Sequence, residues 1–293
     1  MSARSAVLAI INPLSGTTSV AQKTLLRDTF LRQADASGFA AEAVLTTHPG
    51  HATELAAAAV AQSYSRVLAI GGDGTINETA QALRRSGTAL GIVPIGSGNG
   101  LARHLGIPLN PLKAVERALT GRPVVIDSAE INEHPFFCTA GLGFEAYVAH
   151  AFAQQPVRGL PTYVRTAFRA YWAYRPGLFL LNGREERRLF SMTFANAGQF
   201  GNNAWMAPTA NIADGYLEQC EMRPFPAQMA GMLAWRLFNK TLNRSAYWQG
   251  QSIKTATVQT EGPMLIHADG EPITLPNGRA EVRILPGSLL VLL

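Results

Sequence analysis

Arg66-Val67-Leu68-Ala69-Ile70-Gly71-Gly72-Asp73-Gly74-Thr75-Ile76-Asn77-Glu78 is the stretch whose reading decides the fold. It opens on a short apolar β-type run, breaks on glycines and continues into a helix-like pattern, Thr75–Arg85. The same texture repeats on both sides. Ala6–Ile11, Ala40–Thr46 and Ala89–Ile95 read as strands. Val20–Ser37, His51–Ser63 and Pro111–Thr120 read as helices. Strands alternating with helices predict βαβ units and a doubly wound, mostly parallel α/β sheet. Ligands of such sheets sit beyond the carboxyl ends of the strands.

After Gly121 the pattern changes. Val124–Ile131, Pro135–Thr139, Leu189–Ala197, Lys254–Thr260, Met264–Ala268, Arg279–Leu285 and Ser288–Leu293 read as short strands. They predict a β-rich, largely antiparallel second domain. Segments near 159–174 and 226–248 read as helical. The boundary is expected near 122–127, giving domains 1–125 and 126–293, with the last residues free to return to the first. A chain of 293 residues suits two cores.

Hydrophobic residues are 47% and charged residues 15%, a globular composition. No run reaches the roughly 18 uncharged apolar residues that span a bilayer. The N-terminal apolar run reads as a first strand rather than a leader, so a cytoplasmic protein is expected. Cys138 and Cys220 lack metal-ligand spacing and are expected as free thiols. The net charge is +5, and residues 1–125 carry 11 Lys+Arg against 7 Asp+Glu. That excess suits a triphosphate or an anionic lipid surface. There is no dense basic run and no nucleic-acid motif, so no nucleic-acid partner is expected. None of the six histidines has metal-ligand or triad spacing.

Three loops at strand ends carry anion-binding chemistry. Asn12-Pro13-Leu14-Ser15-Gly16-Thr17-Thr18 offers hydroxyls and exposed N–H groups. In Gly71-Gly72-Asp73-Gly74-Thr75-Ile76-Asn77-Glu78, glycines let backbone approach a phosphate. There Thr75 is a helix cap, and Asp73 is an exposed carboxylate able to hold Mg²⁺. No Gly-Lys-Ser/Thr follows, so this is not a Walker loop. In Pro94-Ile95-Gly96-Ser97-Gly98-Asn99-Gly100, Ser97 can donate to a phosphate, and Asn99 to a ribose or to backbone.

The runs NPLSG, GGDGTINE and PIGSGNGLARHLGIP, in this order, resemble the diacylglycerol kinase catalytic family, which includes sphingosine and ceramide kinases. The resemblance continues through Gly141–Ala146, Ala207-Pro208-Thr209-Ala210 with Asp214-Gly215, and Asp269-Gly270-Glu271. It implies an ATP-dependent lipid kinase with its active site in the cleft between a nucleotide-binding α/β domain and a β-rich domain. It implies ATP contacts from Asn12, Thr46, Gly71, Gly72, Asp73, Gly74, Thr75, Ile76, Asn77 and Ser97. Mg²⁺ at the phosphates would be organised by Asp73, and Glu271 would be the general base. From the residues alone, Asp73 is an equal candidate for that base. A second, structural Mg²⁺ would be held by Asp214 with oxygens at Asn211 and Tyr216. The partners implied are a membrane-derived lipid, peripheral contact with the inner face of the membrane, and a second copy in a homodimer. Two departures stand out. Asn99-Gly100 replaces the Asn-Asp of many bacterial members, which leaves diacylglycerol, phosphatidylglycerol, sphingoid and ceramide-like acceptors open. No early cation follows Gly16; Lys23 comes late, and Arg103 is the alternative.

Aromatic and basic residues mix in Gly159–Leu181 and Pro226–Trp248, which suits a membrane interface or an acyl-chain wall. The competing functions are an NAD-kinase-type soluble kinase and a catalytically inactive lipid-binding protein.

Overall fold

The computed structural model describes residues 5–16, 19–156 and 159–293. The chain divides into two compact units, one of residues up to Ile126 together with Gly287–Leu293, the other Asp127–Pro286.

The first unit contains β1 (Ala6–Ile11), α1 (Val20–Ala36), β2 (Ala40–Leu45), α2 (His51–Ala61), β3 (Arg66–Gly71), α3 (Asp73–Leu83), β4 (Ala89–Pro94), α4 (Gly100–His104) and α5 (Pro111–Thr120). Its strands pair in parallel in the order β2-β1-β3-β4. Every residue of β4 is buried, and all but the first of β1 and β3 are. Strands covered on both faces must be apolar on both, which is why these runs do not alternate. The helices start where the sequence supplies partners for their free N–H groups. At α1 the Ser19 hydroxyl accepts from the Gln22 N–H while the Gln22 side chain accepts from the Ser19 N–H. At α5 the Asn110 side chain accepts from Leu112 and Lys113, and Pro111 fills a first-turn position with no N–H to satisfy.

The second unit begins within β5 (Pro123–Ile131) and continues with β6 (His134–Phe136), β7 (Thr139–Gly143), α6 (Phe144–Ala153), α7 (Leu160–Ala173), β8 (Gly177–Leu181), β9 (Glu185–Leu189), β10 (Ser191–Ala195), β11 (Leu217–Met222), α8 (Ala230–Phe238), β12 (Trp248–Ile253), β13 (Thr255–Gln259), β14 (Met264–Ala268), β15 (Glu271–Leu275) and β16 (Arg279–Leu292). Six strands form an antiparallel sheet in the order β12-β11-β10-β7-β14-β15. The first half of β16 pairs antiparallel with β13, which pairs with β8 and then β9. Phe136, Phe179, Met192, Phe194 and Ile266 are among the residues that fill the core of this unit.

Four local expectations are corrected. The two strands expected at 279–285 and 288–293 are one strand that runs through Pro286 and Gly287. Gly287 has φ +59, a conformation glycine adopts at no steric cost, and the chain passes there from the second unit to the first. The helix expected over 226–248 is one turn of 3₁₀ helix, then α8, then a second 3₁₀ turn and β12. It stops at Asn239 because Lys240 takes a positive φ of 56°. The strand expected at Pro135–Thr139 is two, β6 and β7. Helices α4 and α6, read as loop and as motif, are short and begin on the glycine motifs.

Ser19→Ala is expected to lower stability by about 1 kcal/mol, the usual worth of such a cap. Urea unfolding should show a lower midpoint at unchanged slope, and Ser19→Asp should restore it.

Candidate functional site

The carboxyl ends of β1, β3 and β4 each release a loop, and the three loops lock together through backbone. The first, Asn12–Gly16, leaves the sheet as the Asn12 N–H donates to Ile70 O at 3.0 Å. Asn12 Oδ1 accepts from the Leu14 N–H at 2.9 Å, and its Nδ2 donates to Thr75 Oγ1 at 2.9 Å. Ser15 Oγ accepts from the Gly72 N–H at 3.3 Å and lies 3.4 Å from Thr75 Oγ1. Gly16 has φ +66, and a Cβ there would lie 1.8 Å from the Ile95 carbonyl oxygen. Only glycine lets the first loop rest on the third. Thr17 and Thr18 of the expected loop lie outside the described residues.

The second and third loops meet at Gly72 and Gly96, where a Cβ on Gly96 would lie 2.7 Å from Gly72 Cα. Asp73 then joins them. Its Oδ2 accepts from the Asn99 N–H at 2.9 Å and its Oδ1 from the Gly100 N–H at 2.7 Å. Asp73 is therefore half-buried and engaged, not the exposed free carboxylate expected. It is the first residue of α3 and caps α4. Thr75 does not cap its own helix either. It is buried in the first turn, and its hydroxyl is held by the first loop. Asn99 bonds backbone: its Oδ1 accepts from the Gly96 N–H and its Nδ2 donates to Gly96 O at 2.8 Å. Gly74 and Ser97 remain exposed, and Ile76 is a buried packing residue. Asn77 accepts from the Gln81 side chain. Thr46 is buried just past the carboxyl end of β2, its N–H bonded to Ile11 O at 2.9 Å.

Both candidate cations belong to this cradle. Lys23, distant in sequence, donates from Nζ to Pro13 O of the first loop, and burial pulls its pKa down. Arg103 donates from Nε to Gly98 O at 3.0 Å. Lys23 lies one turn into α1, and an i+10 return to a loop carbonyl leaves no mark in sequence spacing.

In the second unit, Asp269-Gly270 forms the two-residue turn between β14 and β15, with φ values of 49° and 86°. Both central residues at positive φ make the tight hairpin whose twist matches its strands. Asp269 is more than a turn residue. Its carboxylate accepts three N–H groups, from Phe137 at 2.8 Å, Cys138 at 2.8 Å and Thr139 at 2.9 Å. Glu271, the next residue but one, opens β15 and is exposed. Beneath the turn, His267 Nδ1 faces the Gly270 N–H at 3.3 Å and Nε2 lies 3.8 Å from Glu145 Oε2. The Thr193 hydroxyl lies 2.9 Å from each Glu145 oxygen. Burial raises the Glu145 carboxyl above the usual range, and the nearby His267 ring and the Thr193 hydroxyl oppose that rise. Sequence reasoning missed Asp269, Glu145 and His267 as a set; they come from the β14 hairpin and from α6, far apart in sequence, which only the fold unites.

The candidate structural metal loop contains two side-chain turns. Asn211 Oδ1 accepts from the Ala213 N–H at 3.2 Å and Asp214 Oδ1 from the Tyr216 N–H at 3.0 Å. Buried Asp127, absent from the expected set, holds the loop by accepting from the Gly215 N–H at 2.7 Å. Burial raises the pKa of Glu218, and the charge of Asp214 adds to the rise. A carboxylate offers about four lone-pair sites. Asp73 and Asp214 thus keep oxygen acceptors of the kind Mg²⁺ takes. Among the described residues, no three His, Cys, Asp or Glu side chains converge. A metal at either place would complete its shell with backbone, phosphate or water oxygens. Cys138 and Cys220 are buried free thiols, and no helix among the described residues is long and apolar enough to cross a membrane.

Asp269→Ala is expected to cost roughly 3 kcal/mol in urea unfolding, because three buried N–H groups lose a charged acceptor. For Glu145, whose folded pKa is raised, the sign is fixed. Its contribution to stability is greatest below the ordinary carboxylate pKa and declines as pH rises from there towards the folded pKa. Glu145→Gln should flatten that decline, read as unfolding free energy against pH.

Residues 6–131 match the family described as the diacylglycerol kinase catalytic domain. The chain is 29% identical over 255 residues to a Chromohalobacter salexigens protein named probable lipid kinase YegS-like, covering 84% of this chain and 81% of that one. A Pseudomonas putida protein of the same name is 27% identical over 254 residues, covering 84% of each. In fold, the chain matches a diacylglycerol kinase structure from Bacillus anthracis with a TM-score of 0.74, 17% identity, and coverage of 98% of this chain and 96% of that one. Residues 6–131 thus resemble the diacylglycerol kinase catalytic domain, and along most of its length the chain is similar to bacterial proteins named as probable lipid kinases.

Proposed function

We propose that the chain transfers the γ-phosphoryl group of ATP to a hydroxyl group of a lipid. The observation that carries this reading is the interlocked cradle of three loops at the carboxyl ends of β1, β3 and β4. Its glycines let the three loops pack directly on one another, which gathers their backbone and hydroxyl groups at one edge of the sheet, a placement that suits a polyphosphate. In this reading Asn12, Ser97 and the run Gly71–Asn77 form the polyphosphate site, with Gly74 and Ser97 exposed to the ligand, Thr75 and Ile76 buried behind them and Thr46 beside them. Lys23 and Arg103 add positive charge from behind the loops.

Phosphoryl transfer asks a protein for alignment and charge neutralisation more than for covalent chemistry. The acceptor oxygen bonds to the γ-phosphorus as the bond to the β-phosphate oxygen breaks, and ADP leaves. Glu271 takes the hydroxyl proton. Its exposure and its place beside the rigid Asp269-Gly270 turn support that role. Asp73 holds the loops, and its remaining lone pairs would be among the oxygens that hold Mg²⁺. The metal, when bound, would neutralise charge on the phosphates. Asn211, Asp214 and Tyr216 would supply oxygens to a second, structural ion.

The acceptor is a membrane-derived lipid: diacylglycerol, phosphatidylglycerol, a sphingoid base or a ceramide-like lipid. The enzyme would work in the cytoplasm, where ATP is supplied and free thiols persist.

A kinase assay with labelled ATP and Mg²⁺ across those four acceptors, resolved by mass, tests the reading. One acceptor should gain a single phosphate. Asp73→Ala and Glu271→Ala should each lower turnover at least ~100-fold, the scale of a lost base or lost charge stabilisation. No turnover of any lipid, with transfer to NAD instead, would replace the reading with a soluble nucleotide kinase.

A further inference from the structure

Helix α7 is built inside out. Its buried residues are the small Thr162, Thr166 and Ala170. Its large apolar residues Leu160, Val164, Phe168 and Trp172, spaced four apart, face outward; Val164 is 53% exposed, Phe168 67% and Trp172 61%. A helix that only covers a core turns such a stripe inward. Phe168 and Trp172 meet edge to face at 6.5 Å, a ready-made aromatic patch. Arg165 and Arg169, also exposed, follow Val164 and Phe168 and flank the stripe. Helix α8 repeats the arrangement: Leu233 is buried, while Met232, Trp235 and Phe238 are exposed. Tyr171 of α7 stacks on Phe225, just ahead of α8, at 5.9 Å.

Charge identifies what covers these faces. Residues 146–184, which contain α7, hold five arginines and no Asp or Glu. Residues 222–260, which contain α8, hold five Lys+Arg and again no acid. A second copy meeting the chain through the same helices would set Arg165 and Arg169 against their like, with no acid on α7 or α8 to pair with them. An anionic bilayer satisfies both parts: rings settle at headgroup depth and guanidinium groups meet lipid phosphates. We propose that the exposed faces of α7 and α8 are a docking surface for an anionic lipid bilayer. This rests on exposure and charge, and is independent of the kinase reading.

The test is flotation of the full chain, without ATP, on phosphatidylcholine vesicles with and without phosphatidylglycerol. The protein should float with the phosphatidylglycerol vesicles and be released as salt rises from about 0.1 M towards 1 M, where screening shortens to about 3 Å. Phe168→Ser with Trp172→Ser should weaken partition about tenfold or more. Arg165→Gln with Arg169→Gln should remove about tenfold of the preference for anionic vesicles. Both double variants should keep the wild-type melting temperature, since the altered side chains lie on the surface. Failure of the unaltered chain to float, or equal flotation of the serine variant, overturns the proposal. So does a dimer in light scattering that Trp172→Ser dissociates, because the face would then be a self-interface. Turnover of a water-soluble short-chain acceptor, expected to survive in the serine variant, reports on the kinase reading separately.

Discussion

The carboxylate of Asp73 accepts one backbone N–H from Asn99 and one from Gly100, and the geometry of the first unit's strand ends follows from that pair of bonds. They fix the second loop to the third and start α4. The Gly72–Gly96 approach brings the two backbones close enough for the bonds to form. The first loop then closes on both, through Asn12 and Ser15 at Thr75 and through Gly16 at Ile95. The cradle is thus organised around one side chain that binds two successive backbone N–H groups of the neighbouring loop.

The second unit uses the same device. Asp269 takes three backbone N–H groups at the entry to β7 and so fixes the turn that presents Glu271. Asp127 does likewise for the loop of Asn211 and Asp214, through Gly215. In each case a carboxylate accepts backbone N–H groups and so holds a loop in place. In the second unit Glu271 and Asp214 are each positioned by such an anchor, whereas in the first unit Asp73 is the anchor itself. Carboxylates bonded to backbone in this way hold position well, because breaking their bonds strands several polar groups at once.

Much of this was legible beforehand, for definite reasons. β1, β3 and β4 are buried on both faces, so their sequences are unbroken apolar runs with glycine loops after them. Asn110-Pro111 and Ser19 mark helix starts by side-chain chemistry alone. The resemblance supplied Glu271, which an Asp-Gly turn by itself does not distinguish from any hairpin. Helix α4 was not legible, since five residues carry no periodicity. The segment 226–248 misled because a helix, two 3₁₀ turns and a strand share one apolar, aromatic composition.

The sequence alone determined the α/β first half, the antiparallel second half, and the three loops with their acidic residue, because local periodicity and glycine placement act over a few residues. Only the tertiary structure decided what Asp73, Asp269 and Lys23 bond to, and that Glu145 lies beside His267. It also decided that α7 turns its aromatic stripe outward rather than inward. Those outcomes depend on which backbone groups and faces remain unpartnered once distant segments have packed. Spacing along the chain does not encode that.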